Sequence, residues 1–191
     1  MTKPQRLDPN AFRRASVLVA EGDRGLRRAL RDVLLGMGFP VIHVAGTAAE
    51  AQRQLLQNSP NVVLLDNRLP GSDGISFTRR LRRDRASGGQ TPIILMAEAP
   101  DTALVAAARD AGVNEIVVKP VAMEALILRL MHVLQVPRRF IRSSSFVGPD
   151  RRRLGERRRR ADRRQTVQIA AGNERRQRID RRYGEDRRKS G

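Results

Sequence analysis

The chain has 191 residues and a formal net charge of +18, with 38 basic against 20 acidic side chains. It has no cysteine, which excludes a disulfide framework, and no apolar run near the roughly 18 residues that a membrane span needs. The apolar stretch VLVA at 17–20 is too short for a secretory signal core, so a soluble cytoplasmic protein without a transmembrane segment is expected.

Taken in chain order, short apolar runs alternate with helical patterns. SVLVA (16–20) reads as a strand. Leu26, Ala29, Leu30, Val33, Leu34 and Met37 then fall on one face of a helix that Gly36 and Gly38 close. VIHVA (41–45) is a second strand. TAAE (47–50) matches a capping box and opens a helix carrying Ala51, Leu55 and Leu56, which Asn58 to Pro60 stop. NVVLLD (61–66) is apolar on both faces, the pattern of a central parallel strand.

A third helix starts near Gly74 with Ile75, Thr78 and Leu81 inward, and PIILM (92–96) is a fourth strand. Asp101 caps a helix through Leu104, Ala107, Ala108 and Ala111, with Gly112 at its C-terminal end. EIVV (115–118) is a fifth strand, and Met123, Leu126, Ile127, Leu130 and Leu134 stripe a last helix. Five such units predict an α/β fold, a doubly wound five-stranded parallel sheet; of the common orders of such sheets, the flavodoxin-like 2-1-3-4-5 is the one expected. The expected organisation is an arm at 1–14, the α/β domain at 15–136 and a basic tail at 137–191.

The tail holds 20 basic and 7 acidic residues and carries most of the net charge. It contains an acid-Arg-Arg repeat at Asp150, Glu156, Asp162, Glu174, Asp180 and Asp186, spaced 6, 6, 12, 6 and 6, with Gln168 at the skipped step. Its apolar residues are too sparse to offset ordering entropy, so it is expected to be largely disordered. On that reading, removal of 138–191 leaves the stability of the domain nearly unchanged. A solvated solubility segment is the bland account of this composition. An anionic partner (an acidic protein, nucleic acid or a lipid surface) is the functional one. The repeat region from Asp150 onward has one aromatic, Tyr183, which argues against base stacking on single strands.

Three strands end in chemistry-bearing residues: Glu21, Asp66 and Lys119. Singly, each has a bland reading, as a helix-terminal acid, a turn cap and a surface lysine. Yet ligands of doubly wound sheets bind beyond the carboxyl ends of the strands, so the fold would bring all three together. Lys119 is also one of only three lysines in an arginine-dominated chain. A compact ammonium on a flexible stem can contact a phosphoryl group where a planar guanidinium fits differently.

The succession VLVAEGD, VVLLDNRLPGSDG, PIILMAEAPD and AGVNEIVVKP resembles the receiver domain of bacterial two-component response regulators, over roughly residues 15–136. The resemblance implies that Asp66 accepts a phosphoryl group from a sensor histidine kinase or phosphotransfer protein, in a regulator rather than an enzyme of metabolism. It implies a Mg2+ site lined by Glu21, Asp66 and the backbone carbonyl of Arg68, and a Lys119 that pairs with Asp66 and then with the phosphoryl group. It suggests a cis Lys119–Pro120 bond, against the trans preference that sequence alone gives. Relatives of this fold dimerise or dock through the face at about 101–135.

Three positions depart from the family pattern. Gly22 stands where a second acid follows the first strand, Ala97 replaces the hydroxyl residue ending the fourth, and Ile116 replaces the aromatic of the fifth. The metal site and the familiar hydroxyl–aromatic switch are therefore expected to be degenerate. Two alternatives stay open beside a phosphorylated regulator. One is a phosphorylation-independent pseudo-receiver adaptor. The other is a regulator that binds nucleic acid non-specifically through its tail.

Overall fold

The computed structural model of the protein describes residues 9–84, 89–136, 138–143 and 146–150. Five parallel strands, β1 (Ser16–Ala20), β2 (Val41–Ala45), β3 (Val62–Asp66), β4 (Ile93–Glu98) and β5 (Glu115–Lys119), pair in the order β2-β1-β3-β4-β5. Five helices intervene or follow: α1 (Arg24–Gly36), α2 (Ala48–Asn58), α3 (Gly74–Arg83), α4 (Thr102–Ala111) and α5 (Met123–Gln135). This is the predicted doubly wound architecture.

The strand pleat sorts the core into two layers. Val17, Val19, Val62, Leu64, Ile94 and Met96 pack with Leu30 and Leu34 of α1 and with Leu126 and Leu130 of α5. Their alternates Leu18, Val63, Leu65, Ile93 and Leu95 pack with Leu55 of α2, Phe77 and Leu81 of α3, and Ala108 of α4. Because β3 is buried along its whole length, it must be apolar on both faces. That is why its one carboxylate, at the last position, is conspicuous.

Local signals act as read. Thr47 accepts from the Glu50 amide, and Glu50 Oε2 in turn accepts from the Gly46 amide at 2.7 Å. Ser59, in the left-handed region, ends α2, and Gly112 at φ +93° ends α4. Two stripe positions differ: Ala29 is exposed on α1, and Leu56 is 52% exposed, because Ala51 and Leu55 already fill the α2 stripe that faces the sheet.

Both domain edges lie elsewhere than expected. Of the expected arm at 1–14, Pro9–Arg14 form a 3-10 turn, and 1–8 lie outside the described residues. Phe12 from that turn is buried in the α1–α5 layer and stacks on Phe39 with ring centroids 5.0 Å apart. At the other end, the compact unit runs through Asp150. An antiparallel pair, β6 (Phe140–Arg142) and β7 (Val147–Pro149), follows α5 and belongs to it.

Arg82 explains why this pair docks. Its side chain is 1% exposed, and its guanidinium donates to the carbonyls of Gly112, Gly89 and Thr91 and to Asn114 Oδ1, at 2.8–3.1 Å. Those four acceptors are neutral. Burial pulls its pKa down to about 9, which still leaves a cation at neutral pH. Phe140 covers that cation, with the ring centroid 4.9 Å from the guanidinium carbon, a contact that strengthens as water leaves. The repeat that begins at Asp150 continues through 151–191, outside the described residues.

Candidate functional site

Asp66 ends β3, Glu21 follows β1 and Lys119 ends β5, and the parallel sheet sets all three at its carboxyl end. Lys119 Nζ lies 2.7 Å from Glu21 Oε2 and 2.8 Å from Asp66 Oδ1. The side chains of Glu21, Asp66 and Lys119 are 2%, 8% and 14% exposed, so one ammonium bridges two largely desolvated carboxylates. Such a pair is costly to desolvate and strongly coupled once formed.

The surrounding backbone fixes both acids. The Asp23 amide donates to Glu21 Oε1 at 3.0 Å, and the Arg68 amide donates to Asp66 Oδ1 at 3.1 Å. Arg27 donates to the carbonyls of Glu21 and Gly22, holding the β1–α1 loop from the other side. The β3–α3 loop is closed by Gly74 N–H donating to the Asn67 carbonyl. A Cβ on Gly74 would lie 2.8 Å from the Asp66 carbonyl oxygen and 2.7 Å from Leu95, so only glycine permits this approach. Asp73 caps α3 through Ser76 N–H.

Burial raises the Glu21 carboxyl above its ordinary range, against the Lys119 and Asp23 hydrogen bonds that lower it. For Lys119 burial acts downward, but the hydrogen bonds to Asp66 and Glu21 outweigh it and hold the ammonium above the usual lysine value. A raised folded-state value contributes stability below the unfolded pKa and loses it as pH rises through the folded one. The Lys119 contribution is therefore intact at neutral pH and lost on the alkaline side of 10.5.

The departures take concrete form. A Cβ on Gly22 would lie 2.7 Å from Pro70 Cδ, so the proline fills the space where a second acid would begin. Asp23 cannot substitute for it, because its side chain caps α1 by accepting from Leu26 N–H at 2.7 Å. Ala97 is buried at the end of β4 and offers no hydroxyl, and Ile116 packs against the α2–α4 layer. Across the mouth, Arg68 pairs with Glu98 at 3.0 Å, but both side chains are more than half exposed, so the pair is weak. Asn67 Oδ1 is buried without a hydrogen-bond partner.

The Lys119–Pro120 bond is cis. The backbone carbonyl of Arg68 faces the β1 loop, 4.0 Å from where a Gly22 Cβ would stand. No group of three or more potential metal-ligating side chains occurs among the described residues. Glu21, Asp66 and Lys119 meet as the strand ends in the sequence predict. Nothing in the sequence marks Arg27, whose signal is only its position one turn into α1, or the proline that closes on Gly22.

Comparison with known proteins decides the family. Residues 17–131 match the response regulator receiver domain. The chain belongs to that family. It is 32% identical over 134 residues to the response regulator MprA of Mycobacterium sp. (strain KMS), covering 70% of this chain and 54% of that protein. It is 35% identical over 117 residues to the DNA-binding response regulator MtrA of Mycolicibacterium smegmatis, covering 61% and 49%. The chain thus spans about half the length of these relatives. Among solved structures, a response regulator from Chloroflexus aurantiacus J-10-fl superposes with a TM-score of 0.59 at 27% identity, over 63% of this chain and 98% of that one. The receiver domain of the Francisella response regulator 1452 does so at 0.56 and 26%, over 63% and 95%. As a receiver domain, this one belongs to two-component signalling, and its family typically binds Mg2+. No helix among the described residues is long and apolar enough to cross a membrane.

Proposed function

We propose that the protein is a two-component response regulator that accepts a phosphoryl group on Asp66 and acts by protein–protein contact, as a regulator and not a metabolic enzyme. The observation that carries this is the Lys119 bridge to Asp66, at the end of the one strand buried throughout. Lys119 and the Arg68 amide both hold Oδ1. The other carboxylate oxygen, Oδ2, has no partner among the described residues and is the nucleophile in this reading. It attacks the phosphorus of a phosphohistidine on a sensor kinase or phosphotransfer protein. The P–O bond forms as the P–N bond breaks, and the imidazole leaves. The Lys119 ammonium then stands beside the growing negative charge, a preorganised electrostatic partner.

Two carboxylates and a carbonyl, with water and the phosphoryl oxygens completing the shell, suit the way Mg2+ is bound at phosphoryl-transfer sites. Glu21, Asp66 and the Arg68 carbonyl would hold the ion, which neutralises phosphoryl oxygens when bound. The Pro70–Gly22 contact removes one carboxylate from that set, so affinity below that of a three-acid site is expected. Exposed Val105, Val118 and Leu128, on α4, β5 and α5, support docking or homodimerisation through the 101–135 face.

The absent hydroxyl at Ala97 favours a second reading, a phosphorylation-independent pseudo-receiver adaptor. Incubation with a small phosphodonor and Mg2+ separates the two. Wild type should gain one labile phosphoryl group and Asp66→Asn none, while a wild type that stays unmodified leaves the adaptor. An anionic partner for the tail, whether acidic protein, nucleic acid or lipid surface, remains part of the proposal and rests on composition alone.

A further inference from the structure

The C-terminal strand pair builds a second concave site at the opposite end of the sheet from Asp66. It closes a cleft of about 240 Å³ against α3 and α4. Arg79, Arg82 and Arg83 form one wall, Asp110 and Ala111 the second, and Ser143, Phe146 and Val147 the third. Arg79 and Arg83 stand one helical turn apart on the exposed side of α3, and Arg82, on the inward side, lines the same cleft. Arg79 and Arg83 are exposed and make no ion pair among the described residues. Arg82, almost wholly buried, spends its donors on neutral oxygens, so its charge is not cancelled by a carboxylate there. A single acid, Asp110, lies on the rim, and it is already engaged with Arg109 at 3.6 Å.

We infer that this cleft binds a small phosphate-bearing ligand. Two exposed guanidiniums with paired donors match the oxygens of a phosphate group, and the buried Arg82 adds a fixed positive charge in a low-dielectric setting. The volume admits one or two phosphate groups with a modest organic part, and Phe146 and Val147 give that part an apolar wall. Three cations lining one cleft repel one another, and an anion relieves that repulsion. The site is independent of Asp66: α4 runs back from the carboxyl end of β4, so Asp110 and Ala111 lie beside the amino end of β5.

The test is a residue-resolved NMR titration of the full-length protein with pyrophosphate and, in parallel, ADP, each at moderate salt. Amide shifts read out the cleft separately from any binding at the Arg-rich tail. Saturable shifts are expected at residues 79–83, 110–112 and 146–148. Arg79→Ala with Arg83→Ala, both exposed positions, should weaken them by about tenfold or more, and Asp66→Asn should leave them unchanged. Tighter binding of ADP than of pyrophosphate would assign the apolar wall to the organic part; equal binding would assign the site to the phosphates alone. Shifts confined to other residues, or shifts in the cleft that survive the double substitution, would overturn the inference.

Discussion

Ending the chain after Val136 should lower the melting temperature by roughly 5–10 °C, whereas ending it after Asp150 should leave it nearly unchanged. The first cut removes Phe140 from above the Arg82 guanidinium and strips away Val147, Gly148 and Pro149, of which the last two are buried. A desolvated cation–π contact is worth about 2 kcal/mol, and a buried apolar side chain about 1.5–3 kcal/mol. A net loss of about 2–3 kcal/mol corresponds to that temperature range in a chain of this size. The second cut removes 151–191, where apolar side chains are too sparse to contribute a core. Thermal melts of the two truncated chains check this. Equal melting temperatures would return the domain boundary to residue 136 and contradict the part assigned to Arg82.

Lys119→Met should destabilise the domain by about 3–5 kcal/mol at neutral pH, since it leaves two adjacent buried carboxylates without their cation. The sign of its pH dependence is diagnostic. In the wild type the ion pairs are intact at neutral pH, because the ammonium titrates above its ordinary value. In the variant, Glu21 and Asp66 repel each other until one takes up a proton. Like charges side by side raise one carboxyl pKa in the folded state. Stability should then rise as pH falls toward the acid range and fall as it climbs through the raised value. Denaturant melts between acid and neutral pH measure this slope. A variant as stable as wild type at neutral pH, with no acid-side gain, would show that the bridge carries no folding energy.

Much of this arrangement could be read from the residues, because the signals were local and repeated. Alternation of four- and five-residue apolar runs with helical stripes points to a doubly wound parallel sheet. The ends of three strands then place Glu21, Asp66 and Lys119 together without any contact information. The parts that were not legible depend on contacts distant in sequence. Arg82 sits in a run, RRLRRDR, where one more arginine draws no notice, although 78, 81 and 82 share the inward face of α3. Phe12 precedes the first strand among charged residues, and only its partner Phe39, beyond α1, makes it core. The β6–β7 pair has three residues in each strand and a proline at the last position of β7, too short for a periodic pattern. The Gly22–Pro70 contact joins two loops and has no signature in either.

The proposed chemistry comes down to one bond. After exposure to a small phosphodonor, borohydride reduction converts an acyl phosphate to the alcohol, leaving homoserine in place of aspartate. Mass spectrometry of the tryptic peptide that ends at Arg68 reads the result directly. The account predicts homoserine at position 66 and unmodified aspartate in protein never exposed to the donor. Reduction at another carboxylate, or an Asp66 that stays aspartate under conditions that label a receiver domain with the full acid set, would contradict it.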